Sequence, residues 1–365
     1  MPLWEIITGR DCNMRCSYCY AGTARAQSNT AEQVVQFLHA AYDAYLCIPQ
    51  TAAPRLGFIG GEPLLHPDLI DTAMTLCHDL NTRHHLEESS ALITTNGTLI
   101  SGNKPVLDLL EKWRGKLRIS FSIDGTRETH DAFRVDAVGH GTWDRAIEGY
   151  YTARQVLGNK SCFAKATYSR DTVSDYTAGV IKLFETGFDR VSANCMFESY
   201  WPEETAGYVY GLFKPVMDYL LTGGRWQRKR LRQLEVPTET GMMTGITGCS
   251  YLYEGSMCLG LDDMIYGCHR AAVAGRLRPC AKVTQTGIEV VDPGLPDKAR
   301  NLWKMRPSKC LSCSLGSVCY GCINSTIEDP VSFYKQYSPC GWTKGVHAAR
   351  IEYARRVREL KGVIA

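Results

Sequence analysis

The chain has 365 residues, of which 44% are hydrophobic and 22% charged, a composition typical of folded globular proteins with a sizeable core. Its net charge of +3 is too small to indicate a nucleic-acid or anionic membrane partner. We expect neither a membrane span nor a secretory signal, because the sequence has no apolar run of roughly 18 residues and no basic start followed by an apolar stretch. Without an export signal, 16 cysteines predict a reducing, cytoplasmic location where thiols bind metals or do chemistry.

Short runs of β-forming residues alternate with helical patterns over the first half of the chain. The predicted strands are 3–8, 55–59, 91–95, 117–123, 162–168 and 190–193, and the predicted helices are 31–46, 67–80, 104–113, 143–157 and 173–185. These six β/α units predict a parallel sheet covered by helices, with ligands at the C-terminal ends of the strands. Periodicity leaves open whether the barrel is closed or partial.

The first predicted strand leads into a cysteine loop, Asp-Cys-Asn-Met-Arg-Cys-Ser-Tyr-Cys-Tyr at 11–20. Cys12, Cys16 and Cys19 are spaced C-x3-C-x2-C. Three thiolates can hold three irons of a [4Fe–4S] cluster and leave the fourth open to a ligand. A zinc loop is the alternative, although zinc motifs usually space pairs as C-x2-4-C and add a fourth ligand nearby, and no other cysteine follows before Cys47.

Polar motifs follow three of the next predicted strands. They are Gly-Gly-Glu-Pro at 60–63, Thr-Thr-Asn-Gly-Thr at 94–98, and Ser-Phe-Ser-Ile-Asp-Gly at 120–125 followed by His-Asp-Ala-Phe-Arg at 130–134. Each motif alone indicates a turn, and Arg134 alone fits a surface ion pair. Their order along the chain favours a binding site.

The cysteine loop resembles the signature of the radical S-adenosylmethionine (SAM) superfamily, C-x3-C-x-Φ-C, with Tyr18 as the aromatic residue Φ. The resemblance implies an α/β fold with a partial (β/α)6 barrel. It also implies that SAM binds the open iron and is cleaved to a 5′-deoxyadenosyl radical, which abstracts a hydrogen atom from the substrate. The implied cofactor-binding residues are Tyr18, Gly60, Gly61, Glu62, Ser122, Asp124, Arg134 and Val191. By the same resemblance, the Gly-Gly-Glu-Pro stretch binds the amino group of SAM. Ser122 and Arg134 contact its ribose and carboxylate, and the backbone of Val191 contacts its adenine.

A second group of cysteines lies near the C-terminus. Eight of them suit either two fully ligated [4Fe–4S] clusters or two four-cysteine zinc sites, and their spacing leaves both open. Their order resembles the SPASM domain of peptide-modifying radical SAM enzymes such as anaerobic sulfatase maturases. That resemblance implies one auxiliary cluster on Cys249, Cys258, Cys268 and Cys322, and a second on Cys310, Cys313, Cys319 and Cys340.

Two positions depart from the SPASM pattern. Cys319 and Cys322 are spaced C-x2-C where the family has C-x3-C, so Cys280 is a candidate ligand in place of Cys322. His269 stands directly after Cys268, where the maturases have an aspartate that serves as a base. Histidine is a competent base near neutral pH, so His269 is a candidate catalytic residue, and an orienting residue beside the cluster is the alternative.

These observations predict a barrel at 1–200, a helical linker at 201–245, a SPASM domain at 246–345 and a C-terminal helix at 346–365. The expected function is oxidation or cross-linking of a peptide or protein side chain, as in ribosomal-peptide maturation, with SAM and three [4Fe–4S] clusters as cofactors. The expected electron donor is reduced flavodoxin or ferredoxin. Because the barrel starts at residue 3, we expect any leader recognition to come from a separate leader-binding protein or from the barrel and SPASM surfaces. The alternatives are a radical SAM dehydrogenase or rearrangement enzyme acting on a small metabolite, and a zinc-binding protein without enzymatic activity.

Overall fold

The structure is a computed structural model that describes residues 2–22, 26–88, 90–196, 199–235, 255–274, 278–295, 297, 301, 307–315 and 338–364. The chain divides into two compact units. The first contains Met1–Ser122, Asp131–Cys162 and Cys249–Arg300, and the second contains Ile123–His130, Phe163–Gly248 and Asn301–Ala365. The domain boundaries predicted from the sequence stay a prediction. Three of the predicted ligands lie outside the described residues: Cys249, Cys319 and Cys322.

The described strands, in chain order, are β1 (Leu3–Ile7), β2 (Arg55–Ile59), β3 (Ala91–Thr95), β4 (Leu117–Ser122), β5 (Cys162–Tyr168), β6 (Arg190–Cys195), β7 (Arg230–Leu231), β8 (Met257–Leu259), β9 (Met264–Tyr266), β10 (Ala281–Thr284) and β11 (Gly287–Val290). In the first unit, β1 to β4 are parallel neighbours in chain order. In the second unit, β5, β6 and β7 are likewise parallel neighbours. The predicted parallel α/β core is confirmed, and each of the six strands predicted in the first 200 residues is present with ends within two residues of the prediction.

The described α-helices are α1 (Ala31–Leu46), α2 (Pro67–Arg83), α3 (Lys104–Lys112), α4 (Arg127–Phe133), α5 (Trp143–Leu157), α6 (Tyr176–Thr186), α7 (Ala206–Leu221), α8 (His269–Ala274), α9 (Ser308–Leu311) and α10 (Cys340–Ile364). The residues at the N-terminus of α1 explain where this helix begins. Thr30 and Gln33 form a capping box that satisfies backbone groups at its N-terminus, and Val34, Phe37 and Leu38 bury its apolar face. None of the described helices combines the length and apolarity that crossing a membrane requires.

The first unit extends its parallel sheet beyond β1 with two hairpins from the C-terminal half. β8 pairs parallel to β1, opposite to β2, with Glu5 level with Cys258. β9, β10 and β11 then follow as antiparallel neighbours. Trp4, which is fully buried in β1, donates from its indole to the Gly255 carbonyl at 2.9 Å. The segment carrying Cys258 and Cys268 is therefore attached directly to the strand that leads into the cysteine loop.

Candidate active site

The cysteine loop connects β1 to the residues before α1. Cys12 and Cys16 are half-buried and Cys19 is exposed. The Cys19 amide donates to the Cys16 carbonyl at 3.1 Å, which places the last two thiols on one turn. Burial raises the pKa of the Cys12 thiol to about 12, and the charges of Glu62, Cys16 and Cys19 add to this rise. The three thiols therefore lie within electrostatic range of one another.

A segment after α4 lies along the cysteine loop and fixes its backbone. The Arg15 amide donates to the Val135 carbonyl at 2.8 Å, and the Ser17 amide donates to the Phe133 carbonyl at 3.0 Å. These bonds satisfy backbone groups that a loop of this kind cannot pair internally. Phe133 of the His-Asp-Ala-Phe-Arg motif and Val135, which directly follows the motif, thus support the cysteine loop.

Tyr18 and Arg134, both predicted to bind the cofactor, contact each other in this structure. The Arg134 guanidinium lies 5.2 Å from the centre of the Tyr18 ring, and the Phe133 ring centre lies 5.9 Å from it. Arg134 is only 7% exposed, and its carbonyl accepts from the Thr142 hydroxyl at 2.7 Å. A cation–π contact in such a buried setting is worth up to about 2 kcal/mol, so it orients both side chains. Their contacts with SAM stay a prediction.

The two glycines of Gly-Gly-Glu-Pro pack against the cysteine loop. A Cβ at Gly60, where φ is 153°, would lie 2.3 Å from the Gly9 carbonyl oxygen, and one at Gly61 would lie 2.1 Å from the Asp11 carbonyl oxygen. Gly61 also donates from its amide to Gly9 at 2.8 Å. The sequence suggested that these glycines allow backbone to approach a ligand, whereas the backbone they approach here belongs to the loop itself.

Glu62 forms a clamp between the ends of β2 and β3. Its carboxylate accepts from the Leu64 amide at 3.0 Å, the Thr95 hydroxyl at 2.6 Å and the Asn96 amide at 2.8 Å. The side chain is 1% exposed. Burial raises the pKa of the Glu62 carboxyl above its ordinary value, although the three hydrogen bonds oppose that rise. An ammonium contact at Glu62 stays a prediction, since all three donors shown here are intramolecular.

The end of β3 is also tied to the cysteine loop. The Asn96 amide side chain donates to Asn13 Oδ1 at 2.9 Å, and Asn13 in turn donates to the Thr98 hydroxyl at 2.8 Å. His66, which follows the Gly-Gly-Glu-Pro stretch, pairs through Nε2 with Asp11 Oδ1 at 2.9 Å. Residues that follow β2 and β3 therefore hold the first half of the cysteine loop in place. The sequence identified the Thr-Thr-Asn-Gly-Thr stretch but did not reveal that Asn13 is its partner.

Three further predicted cofactor residues lie on strands of the core or just after one. Asp124 is 1% exposed; its carboxylate accepts from the Thr167 amide at 2.8 Å, and its own amide donates to His130 Nδ1 at 3.2 Å. Val191 is buried in β6 within the same unit. Ser122 belongs to the other unit and is half-buried at the end of β4. These hydrogen bonds give Asp124 a structural role in its loop, and the SAM contacts of all three residues stay predictions.

His269, the candidate catalytic residue, is held by a carboxylate on β1. Its Nδ1 lies 2.8 Å from Glu5 Oε1, and its amide donates to Glu5 Oε2 at 3.1 Å. A carboxylate only accepts, so Nδ1 carries the proton and Nε2 of a neutral ring is left as the basic nitrogen. Glu5 was missed in the sequence, although a charged residue within the buried strand Leu-Trp-Glu-Ile-Ile is a signal that could have revealed it.

Tyr20 connects the cysteine loop with the segment after Cys268. Its ring centre lies 6.1 Å from that of His269, and the Arg270 guanidinium lies 5.2 Å from it. Tyr20 directly follows the last thiol of the loop. The two cysteine segments that the sequence assigned to different clusters are therefore in contact within the first unit.

The C-terminal thiols are divided between the two units. Cys258 and Cys268 are buried in the first unit. Cys310, Cys313 and Cys340 are half-buried in the second unit, where the Cys313 amide donates to the Cys310 carbonyl at 3.4 Å. Among the described residues, no three His, Cys, Asp or Glu side chains converge on a single metal ion. The ligand sets of both auxiliary clusters stay predictions.

Comparison with protein families decides the nature of the N-terminal part. Residues 6–167 match the family model described as the Radical SAM superfamily. This segment is a radical SAM domain. Over 183 residues the chain is 33% identical to the AdoMet-dependent heme synthase of Oleidesulfovibrio alaskensis, a match that covers 50% of this chain and 41% of that protein. The chain thus spans less than half the length of this curated relative.

Two solved structures are similar over nearly the whole chain. A structure of anSMEcpe with bound AdoMet and the Cp18Cys peptide has a TM-score of 0.68 and 17% identity, and the match covers 96% of this chain and 99% of that one. Streptococcus suis SuiB bound to precursor peptide SuiA has a TM-score of 0.62 and 20% identity, covering 93% of this chain and 76% of SuiB. At these identities the likeness shows the fold.

The residues of the cysteine loop fit the [4Fe–4S] cluster that a radical SAM domain implies. A cube takes each thiolate on a different iron, so its ligands need not converge on one point. The Met14 amide already donates to Cys12 Sγ at 3.4 Å, the kind of hydrogen bond that tunes cluster sulfurs. The raised pKa of the half-buried Cys12 thiol means that binding a cluster would have to displace the proton of that thiol.

Proposed function

We propose that the protein is a radical SAM enzyme that oxidises or cross-links a side chain of a peptide or protein. SAM bound to the cluster of the cysteine loop supplies a 5′-deoxyadenosyl radical, which removes a hydrogen atom from the substrate. The proposed cofactors are SAM and three [4Fe–4S] clusters, with reduced flavodoxin or ferredoxin as electron donor. The radical SAM domain at 6–167 supports the first part of this proposal.

The contact between Tyr20 and His269 carries the proposal for an oxidation. It joins the loop that would hold the SAM cluster to the segment beginning at Cys268, a proposed ligand of an auxiliary cluster. Net oxidation of a side chain removes a second hydrogen as a proton and an electron, and in our proposal an auxiliary [4Fe–4S] cluster would accept that electron. In our proposal His269 takes that proton at Nε2, because Glu5 occupies Nδ1.

A peptide substrate is supported by the two solved structures with similar folds described above, each of which contains a bound peptide. A second candidate, a small metabolite, is favoured by the match to an AdoMet-dependent heme synthase. A separate leader-binding protein is proposed only for the case in which the substrate is a peptide.

The first experiment measures iron and sulfide per chain after anaerobic reconstitution. We expect about 12 irons in the wild type and about 8 in the Cys12→Ala/Cys16→Ala/Cys19→Ala variant, as three cubes and the loss of one require. The same samples are then given SAM and a reductant. The wild type should form 5′-deoxyadenosine and the triple variant should not. Iron loss without any change in SAM cleavage would contradict the assignment of the loop.

The substrate class is tested with a panel of peptides and, separately, an iron tetrapyrrole. The proposal expects a peptide that loses two hydrogen atoms by mass while 5′-deoxyadenosine accumulates. His269→Gln should still yield 5′-deoxyadenosine with that peptide but much less oxidised product, because hydrogen abstraction precedes proton removal. Turnover of the tetrapyrrole, with no peptide modified, would establish the metabolite alternative instead.

A further inference from the structure

A cavity lies beside the C-terminal end of β1, within the first unit. Its volume is about 110 Å³. The residues that line it come from β1 and the loop after it, from the turn between β8 and β9, and from α8, and they include Ile7, Arg10, Gln27, Asp262, Ala272 and Val273. A cavity of about 150 Å³ can hold benzene, so this one has the size of a side chain.

The cavity is close to the candidate base. Ile7 follows Glu5 by two residues in β1, so the two side chains project from the same face of that strand. Ala272 and Val273 follow His269 by three and four residues in α8, and positions with this spacing share a face of a helix. The cavity is therefore about one helical turn, roughly 5 Å, along α8 from His269. A substrate side chain in the cavity would bring the neighbouring substrate residues towards that histidine.

The cavity combines an apolar floor with a polar rim. Ile7 and Val273 are 1% and 2% exposed. Gln27 and Asp262 are exposed, and Arg10 is half-buried. Binding pockets commonly have an apolar lining with a few polar groups that fix the orientation of the ligand. The floor suits the methylene groups of a side chain, and the rim suits a polar group at its end.

The rim carries one positive and one negative charge, and other residues of the protein orient both. The Arg10 guanidinium donates to the Val273 carbonyl. The Asp262 carboxylate accepts from the Met264 amide at 3.2 Å and from the Tyr266 hydroxyl at 2.8 Å. A guanidinium has five N–H donors and a carboxylate has about four lone-pair sites, so these contacts leave both groups able to bind a ligand.

Two opposite charges on one rim select a neutral polar group. A carboxylate would be repelled by Asp262, and an ammonium group would be repelled by Arg10. A carboxamide is neutral, and it offers a carbonyl oxygen to Arg10 and N–H donors to Asp262. Glutamine and asparagine carry this group on a short apolar stem that matches the floor.

We propose that this cavity is a subsite for a glutamine or asparagine side chain of the peptide substrate, near the residue that is oxidised. This inference rests on the proposed function, because it assumes that the substrate is a peptide. It adds a sequence requirement to that function, namely a carboxamide close to the reacting residue.

The test measures the binding of capped hexapeptide pools to the reconstituted enzyme, with SAM and without a reductant, so that no turnover occurs. Each pool has glutamine, glutamate, lysine or alanine at one fixed position and mixed residues without carboxamides elsewhere. We expect the glutamine pool to bind at least about tenfold more tightly than the other three, because only a carboxamide gains hydrogen bonds to both charged groups. Equal affinities for the four pools would overturn the proposal.

A charge substitution tests the rim directly. In Asp262→Asn an oxygen remains for the Met264 amide, while Arg10 becomes the one charge of the described rim, so the preference should move from glutamine towards glutamate. A gain in affinity for glutamate cannot arise from misfolding. Asp263→Asn is the matched control, because this carboxylate accepts from Gln33 at 2.8 Å and lies outside the lining of the cavity. The same shift in both variants would overturn the proposal, since overall charge would then explain it.

Filling the cavity tests its role independently of charge. In Ala272→Leu the larger side chain should occupy the space, and the four pools should then bind with equal affinity. A glutamine preference that persisted in this variant would place the carboxamide elsewhere and overturn the proposal.

The pools also separate this inference from the proposed function. With a reductant added, oxidation of peptides from all four pools at equal rates would overturn the subsite and leave the proposed function in place. Turnover of the iron tetrapyrrole, with no peptide bound from any pool, would overturn both.

Discussion

Several side chains that the sequence singled out for ligand binding also hold the protein's own backbone. Glu62 is the clearest case, because its buried carboxylate accepts three hydrogen bonds from residues after β2 and β3. Such a carboxylate costs free energy to bury, and the three donors offset that cost. Its primary effect is to keep two strand ends together next to the cysteine loop.

Replacing Glu62 should therefore lower stability. Glu62→Ala leaves the Thr95 hydroxyl and the Leu64 and Asn96 amides without their acceptor, at about 1–3 kcal/mol for each buried donor left unpaired. The free energy of unfolding, measured by urea denaturation, should fall accordingly. Glu111→Ala, at an exposed carboxylate on α3, is the control and should change it by less than about 0.5 kcal/mol. Equal urea midpoints for the Glu62 variant and the wild type would show that the clamp contributes nothing.

The elements of the parallel core were predictable because their signals are local. The β-forming residues of β3 indicate a strand, and the apolar spacing and capping box of α1 indicate a helix. The short elements α4, β10 and β11 were missed, since four to seven residues carry too little periodicity. The partners of the cysteine loop could not be predicted either. The sequence around Gly60 and Gly61 predicts a ligand-binding turn. Only the fold shows that these glycines pack against the backbone of residues 9–11.

Helices α7 and α10 of the second unit pack closely at two glycines. A Cβ at Gly345 would lie 2.6 Å from Val209 Cβ and 2.7 Å from the Ala206 carbonyl oxygen, and one at Gly341 would lie 1.9 Å from the Thr205 hydroxyl. Distances this short cannot be relieved by a rotamer change, because some of the atoms belong to the backbone. Small residues are therefore required on this side of α10.

We expect Gly345→Ala to destabilise the protein by about 1–3 kcal/mol, the usual cost of overpacking. Gly211→Ala, in the middle of α7, is the matched control because nothing lies within 4 Å of its added Cβ. It should stabilise the helix by up to about 1 kcal/mol through the higher helix propensity of alanine. Thermal unfolding followed by circular dichroism distinguishes the two, since the melting temperatures should move in opposite directions. A higher melting temperature for both variants would mean that α7 and α10 are not in close contact at Gly345.

At the scale of the whole chain, the first unit combines residues from both ends of the sequence. β1 pairs with β2 from its own half and with β8 from more than 250 residues away. The amide of Leu3 also donates to the Ser256 hydroxyl at 3.1 Å. A short strand such as β8, with three residues, gains little from its own pairing and depends on these side-chain contacts. The position of the segment after Cys268 relative to the cysteine loop depends on the same contacts between β1 and β8.

Asn29 makes the most buried of these connections. It is 4% exposed, and its side-chain amide donates both to the Ile7 carbonyl at 2.7 Å and to the Gly260 carbonyl at 2.9 Å. One side chain thus joins the end of β1 to the turn between β8 and β9. Its own Oδ1 has no hydrogen-bond partner among the described residues, which reduces its net contribution.

Asn29→Ala should loosen the hairpins while leaving the parallel core in place. Two buried carbonyls lose their donor, at about 1–3 kcal/mol each, partly offset by removal of the unpaired Oδ1. Hydrogen exchange read by mass spectrometry should therefore become faster in the amides of β8 and β9, and stay unchanged in β3. Ser28→Ala, at the exposed neighbouring position, is the control and should leave exchange unchanged in all three strands. Faster exchange in β3 as well would mean that Asn29 supports the whole unit, because a local connection would transmit its loss only to the strands it attaches.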